Sequence, residues 1–328
     1  LDIKVAFTRV RGFVTEQPIW LAILVIGTIM SLISPDFGQF SNVINISNQA
    51  AMYGILGLGM TMVMLNGNID LSVGNALGFA VMVCIFTIQQ TGSVLLALVL
   101  TIASGLVLGF INGFFVAYVG ITSFVVTLAS MIGIRGFTFI ICKEWSIPGT
   151  SEAFKEFGEM VVLGIPIHII IFIFLVVLMQ LILSYTRHGR ESFVIGGNLE
   201  AAYNAGLNVK RHILINFMVS GLFVGICAIL TAARINGATP TLGYDYQTMV
   251  IVAIVIGGTR LSGGYGSMVR TAGGALMISV LQNSLNMMGF QSYWSQLVTG
   301  VVMILVIISD RFVNKGRKRI ITEDEKAA

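Results

Sequence analysis

The stretch LSVGNALGFAVMVCIFTIQQTGSVLLALVLTIASGLVLGFINGFFVAYVGITSFVVTLASMIGI, Leu71 to Ile134, runs for 64 residues without an Asp, Glu, Lys or Arg. A bilayer-spanning helix takes about 20 mostly apolar residues. The run is too long for one span and fits two and the start of a third. The rest of the chain has the same character: 56% of its 328 residues are hydrophobic, 10% are charged, and the mean hydropathy is +0.91. A soluble domain carries about 25% charged residues and needs them to cover its core. So few charges cannot supply that cover, and lipid is the expected solvent for most of the protein. Disorder is excluded by the same composition, which includes 21 Phe.

Outward from that stretch, apolar runs between polar or Gly/Pro breaks give ten candidate spans. Eight are clear: Ile19–Ser34, Ala50–Leu65, Ser72–Ile88, Val94–Val119, Ser123–Cys142, Pro166–Ser184, Ile213–Ala233 and Tyr293–Ser309. Tyr246–Gly258 and Ser267–Leu285 are weaker. Trp20 and Trp294 fall near span ends, where amphipathic rings favour the interface. With the N-terminus inside, 15 of the 19 Lys and Arg fall on inside segments, three fall outside (Lys143, Lys155, Arg234), and Arg135 lies within a span. Cytoplasmic loops retain positive charge. The expectation is therefore an all-α polytopic membrane protein of about ten spans with both termini cytoplasmic. Residues 1–18 form an inside segment, 19–309 the transmembrane domain and 310–328 a basic inside tail. The net charge of +4 then reflects loop retention and gives no sign of a nucleic-acid partner. Two hydrophilic segments exceed a turn: 143–164 outside, with Glu144, Glu152, Glu156 and Glu159, and 185–212 inside.

The first apolar run, after Pro18, lacks an A-x-A-like cleavage site and reads as a retained span; residue 1 is Leu, so the natural start is expected upstream. Cys84, Cys142 and Cys227 stand far apart without a C-x-x-C pair, so they read as buried hydrophobes. No Lys follows a Gly, which excludes a G-x-x-x-x-G-K phosphate loop, and there is no H-E-x-x-H. His168, His188 and His212 are isolated in sequence and read as solvated or structural, not as ligands.

The inside loop is the most informative hydrophilic segment. In Gly196-Gly197-Asn198-Leu199-Glu200-Ala201-Ala202-Tyr203-Asn204-Ala205-Gly206, Asn198 is a good N-cap, Glu200 complements a helix N-terminus and Gly206 is a good stop. A helix of two turns is marginal alone in water and needs a surface to pack on. The small Ala201 and Ala202 are expected to lie under a partner; an ordinary connector at the headgroups is the competing reading.

This segment resembles the coupling-helix motif of ABC importer permeases, and more narrowly of the ribose/galactose-type permeases related to the branched-chain amino-acid permeases. Asn68-Ile69-Asp70-Leu71-Ser72-Val73-Gly74 resembles their Gly-Ile-Asp-Leu-Ser-Val-Gly segment, with Asn68 where Gly is usual. Val126-Thr127-Leu128 with Arg135-Gly136, and Val255-Ile256-Gly257-Gly258-Thr259 with Leu261-Ser262-Gly263-Gly264-Tyr265-Gly266, resemble two further family patterns in the same order. The resemblance implies a bacterial inner-membrane permease for a monosaccharide. It also implies a second permease subunit, identical or homologous, two ATPase subunits and an extracytoplasmic sugar-binding protein. No cofactor is expected on this chain; ATP and magnesium belong to the ATPases.

Several polar residues fall within the apolar runs. Asp70 reads either as a cap for the third span or as a group lining the solute path, and Ser72 follows it. Arg135 must find a carboxylate, carbonyls or water, as an anchor or as a sugar contact. Asn112 sits among small residues that let helices approach closely. Gln282, Asn283 and Asn286 form a polar stripe, either interhelical glue or a surface for an uncharged polyhydroxy solute. Asp70 and Arg260 carry opposite charges at two helix breaks, which suggests an ion pair. The rival class, an ion-coupled secondary transporter of a small polar solute, expects several acids or His within the spans. Asp70 is the only acid between residues 50 and 142.

Overall fold

The computed structural model describes residues 18–304 except 292 and 303. The inside segment 1–17, the tail 310–328 and the end of the tenth expected span lie outside these residues. A helix lies at each of the ten expected spans. They are α1 (Pro18–Ile33), α2 (Phe40–Leu65), α3 (Val73–Thr91), α4 (Val94–Phe114), α5 (Ser123–Cys142), α7 (Ile167–Tyr185), α10 (Val209–Ile235), α11 (Tyr246–Ile256), α12 (Met268–Met287) and α13 (293–302). Three shorter helices interrupt them: α6 (Glu152–Glu159), α8 (Arg187–Gly197) and α9 (Leu199–Asn204). Five of the described helices, α3, α4, α5, α7 and α10, are long and apolar enough to cross a membrane; α4 reaches that length with a π-helical turn, Phe115–Val119. Two compact units divide the chain, Leu1–Val280 and Leu281–Ala328.

In the first unit, α2 is enclosed by protein. Every residue from Ala50 to Leu65 is buried, as expected of a helix that is apolar on all sides. Small residues let its neighbours close in: a Cβ on Gly54 would strike the Phe172 ring of α7, and one on Gly59 would meet the backbone of Ser220 in α10. Helices α4 and α10 touch through their backbones. A Cβ on Gly105 would collide with the Gly221 carbonyl, and one on Gly109 with the Phe217 carbonyl. Without a hydrophobic drive between helices in lipid, such close approach supplies the packing. Large apolar side chains of α1, α4, α5 and α7, among them Leu24, Val99, Ile132 and Phe174, are exposed. This outward apolar band suits a lipid solvent.

The segment 143–164 is folded. Its Ile147–Pro148 strand pairs antiparallel with Gly237–Ala238 after α10, and α6 is capped by the Ser151 hydroxyl, which accepts the Phe154 N–H at 3.3 Å. A small hairpin, Val161–Val162 with Ile165–Pro166, follows.

Candidate functional site

Two non-helical breaks, 66–72 between α2 and α3 and 257–267 between α11 and α12, meet the helical connection formed by α8 and α9. They meet backbone to backbone. The Gly264 N–H donates to the Leu65 carbonyl at 2.9 Å. A Cβ on Gly196 would collide with that same carbonyl, and one on Gly264 would lie 2.8 Å from Gly197 Cα. A displacement of α8 is thus felt directly at the end of α2 and at the Gly-rich break. The expected Asp70–Arg260 ion pair does not form. The ion pairs among the described residues are Lys155–Glu152, Arg187–Glu191 and His212–Glu191. Arg260 lies 5.0 Å over the Tyr265 ring. The two breaks are fastened by glycine backbone instead, which approaches more closely than paired side chains allow.

The α9 segment has the expected ends. Asn198 Oδ1 accepts the Ala201 N–H at 3.0 Å, the Gly206 N–H bonds the Tyr203 carbonyl, and the Leu207 N–H bonds Ala202 O at 3.1 Å. Gly206 has φ 75°, a conformation that favours glycine. The expectation for Ala202 is overturned: it is 0% exposed and packs with Ile195 and Val209 of its own chain. Ala201 and Glu200 are exposed, as are Leu199 and Tyr203. The face open to a partner is therefore Leu199, Glu200, Ala201 and Tyr203.

The reading of the histidines as isolated is also corrected. His188 and His212, 24 residues apart in sequence, stack with ring centroids 4.0 Å apart and planes at 8°. His212 Nε2 donates to Glu191 Oε2 at 2.8 Å, and Arg187 Nε donates to Glu191 Oε1 at 2.5 Å. The Arg187 hydrogen bond holds the Glu191 carboxyl below its usual range. His188 Nε2 donates to Asn216 Oδ1 at 2.7 Å, and Asn216 Nδ2 donates to the Met62 carbonyl at 2.9 Å and to Asn66 Oδ1. The cluster ties α8 to α10 and, through Asn216, to the end of α2. Beside it opens a cavity of about 490 Å³ lined by Arg187, His188, Glu191, Arg211 and His212. His168 is buried against the Leu230 carbonyl at 3.2 Å. Sequence carried no signal for the His pair, because stacking depends on how the chain folds back through α9 from α8 to α10.

The polar residues of the apolar runs separate into an enclosed group and an exposed group. Asp70 is 3% and Asn112 1% exposed. Ser72 donates to Asp70 Oδ1 through its N–H at 3.0 Å and its hydroxyl at 2.6 Å. Asn112 Nδ2 donates to Ser72 Oγ at 2.9 Å, and Ser130 donates to Asn112 Oδ1. Ser220 Oγ lies 3.4 Å from Asp70 Oδ2. Asp70 therefore organises the break just before α3, whose N-cap is Ser72. Asn68, half-buried, donates to the Asn66 carbonyl at 3.3 Å. Arg135 is exposed, and its guanidinium lies 4.6 Å over the Tyr244 ring and 5.8 Å from that of Phe139. In α12, Gln282 is buried, Asn283 half-buried and Asn286 exposed.

A polytopic helical membrane protein with broken helices meeting at a short helical connection is a transporter architecture. The chain belongs to the family described as branched-chain amino acid transport system / permease component, whose model matches residues 42–307. It is 32% identical to the ribose import permease protein RbsC of Haemophilus influenzae over 316 residues, 95% of this chain and 97% of that protein. It is 35% identical to RbsC of Bacillus subtilis over 294 residues, 89% and 91% of the two chains. It is 30% identical to the galactose/methyl galactoside import permease protein MglC of Escherichia coli, covering 91% and 94%. No solved structure matches the chain.

Proposed function

We propose that this chain is the membrane subunit of an ATP-driven importer that moves a monosaccharide inward after delivery by a binding protein. The observation that carries this reading is similarity to ribose and galactose import permeases over nine-tenths of both chains. The lack of a phosphate-binding motif fits energy supplied by partners. ATP and magnesium bind two ATPase subunits, and solute passes between this chain and a second permease subunit, identical or homologous. The protein resides in the bacterial inner membrane with ten spans and both termini cytoplasmic.

The exposed face of α9, with Glu200, Ala201 and Tyr203, rests on an ATPase. Ala202 and Val209 pass its motion to α8, and Gly196 and Gly197 pass it to Leu65 and Gly264. The breaks at 66–72 and 257–267 then shift together. The polar stripe Gln282, Asn283 and Asn286 of α12 is a candidate for contact with the solute. The rival reading, ion coupling, gains no support from the relatives.

The test is reconstitution with both ATPase subunits and the binding protein. Labelled ribose or galactose should accumulate in an ATP-dependent way and stimulate hydrolysis. Uptake driven by an ion gradient without the ATPases would overturn the reading. Cysteine at Glu152 should react with an impermeant reagent on intact cells and cysteine at Glu200 should not; the reverse would overturn the orientation.

A further inference from the structure

The loop 239–245 joins α10 to α11 without helical backbone of its own; Gly243 within it is buried, while Tyr244 and Asp245 are exposed. Gly243 lies against Gly74, and the Leu242 carbonyl against Gly78, so tightly that a Cβ on either α3 glycine would collide with the loop. At 1.5 Å per residue, Gly78 is about 20 Å from the Thr91 end of α3. Ser220, bonded to Asp70 just before α3, is about 16 Å from the Val209 end of α10. Tyr246, the first residue of α11, packs edge-on against Tyr53 inside α2, with centroids 5.1 Å apart. The Asn75 amide donates to the Met131 carbonyl at 2.8 Å, which sets α5 at the same level. Arg135, one turn further along α5, then meets the loop at Tyr244.

Non-helical backbone at membrane depth is tolerated only where protein buries it or where it lines a water-filled cavity. An arginine at that depth faces the bundle interior or water. Here both are open: Tyr244 is 52% exposed, Arg135 is exposed, and nothing lies within 4 Å of a Cβ built on Gly133 or Gly136 beside it. By these two rules the loop and the guanidinium belong against water or protein, at the margin of the exposed apolar face of α5 that carries Ile132 and Phe137.

We propose that Arg135 and Tyr244 form a sugar-contact site in the wall of the solute path, an assignment that rests on the importer reading above. The chemistry suits a neutral polyhydroxy solute. The guanidinium offers five donors in a fixed plane, and its stacking on Tyr244 holds that plane. The Tyr244 hydroxyl donates and accepts, and its ring offers an apolar face to sugar C–H groups.

The experiment uses the assembled transporter with Cys84, Cys142 and Cys227 replaced by Ala. Tyr244→Cys should react with a charged, water-soluble thiosulfonate at least tenfold faster than Phe174→Cys, which sits on the lipid-facing side of α7. Saturating sugar-loaded binding protein with ATP should change that rate at least threefold. In the otherwise wild-type complex, Arg135→Gln and Tyr244→Leu should each lower uptake at least tenfold without reducing the amount of assembled complex. Sugar uptake by the wild type together with a Tyr244→Cys as slow as Phe174→Cys would overturn the site alone. Failure of the wild type to move ribose or galactose would overturn the importer reading, and with it the sugar class of this site. Wild-type uptake by both Arg135→Gln and Tyr244→Leu would overturn the contact.

Discussion

The polar chain around Asp70 and the cluster around His188 and His212 share helix α10, which serves them from Ser220 and Asn216, one turn apart. They are built from different side chains. Around Asp70 the partners are serines and Asn112, short and neutral, nearly closed from solvent. Around the histidines they are Glu191, Arg187 and Asn216, beside an open cavity that Arg211 also lines. Where lipid surrounds the protein, each polar group must be satisfied internally, and short side chains do this without strain. At the end of the bundle, water is available to ionisable groups, so charge is retained and one side stays open. The first cluster fixes a backbone break; the second links α8, α10 and the end of α2.

The largest effect is expected from breaking the enclosed cluster. Asp70→Leu strands the Ser72 N–H and hydroxyl, each a buried donor costing about 1–3 kcal/mol when unpaired. Folded protein should fall severely, read as the monodisperse fraction after detergent extraction, whereas Asp70→Asn retains acceptor capacity and should fall less. Next comes Asn216→Leu, which removes the bridge from His188 to Met62 and Asn66. A loss of about 1–3 kcal/mol is expected from the groups left unpaired, with reduced coupling of hydrolysis to uptake. Third, Ala202→Arg overpacks the contact with Ile195 and Val209 at a cost of about 1–3 kcal/mol. It should lower abundance as well as sugar-stimulated hydrolysis. Ala201→Arg, on the exposed face, should leave abundance intact and lower hydrolysis alone; equal behaviour of the two would remove the distinction between inner and outer face.

The smallest effect concerns pH. The Glu191 carboxyl is held below its unfolded value by Arg187, so its contribution is present above the usual carboxylate range. That contribution is lost as pH falls through the lowered folded value. The protection factor of the α8 amides, with the intrinsic pH dependence of exchange divided out, should fall modestly on acidification below about pH 4.5 in wild type, and Glu191→Gln should flatten that dependence.

The places of the apolar helices were legible, and five of them are long and apolar enough to cross a membrane, because a helix in lipid must be apolar over its own length and that signal is local. The α9 caps were legible for the same reason, since Asn198 and Gly206 act within one turn. Long-range pairings were not legible. His188 with His212, Gly196 with Leu65 and Gly264, and Arg135 with Tyr244 depend on how segments far apart in sequence return to one place. Asp70 and Arg260 show the limit most plainly. Their breaks do come together, but charge sign said nothing of which atoms would touch. Ala202 shows another: a small residue in a short helix fits under a partner or under its own chain, and composition does not choose.

The glycine contacts between α4 and α10 carry a mechanical consequence. Backbones that touch at Gly105 and Gly221 leave no side-chain layer to shear, so any sliding would have to lift one helix off the other. The pair is therefore a strut. A working stroke has to pass around it, through the segments 66–72 and 257–267, where no continuous helix resists bending. A lever is useful only if something beside it stays still, and in this subunit that fixed member is the glycine-lined pair.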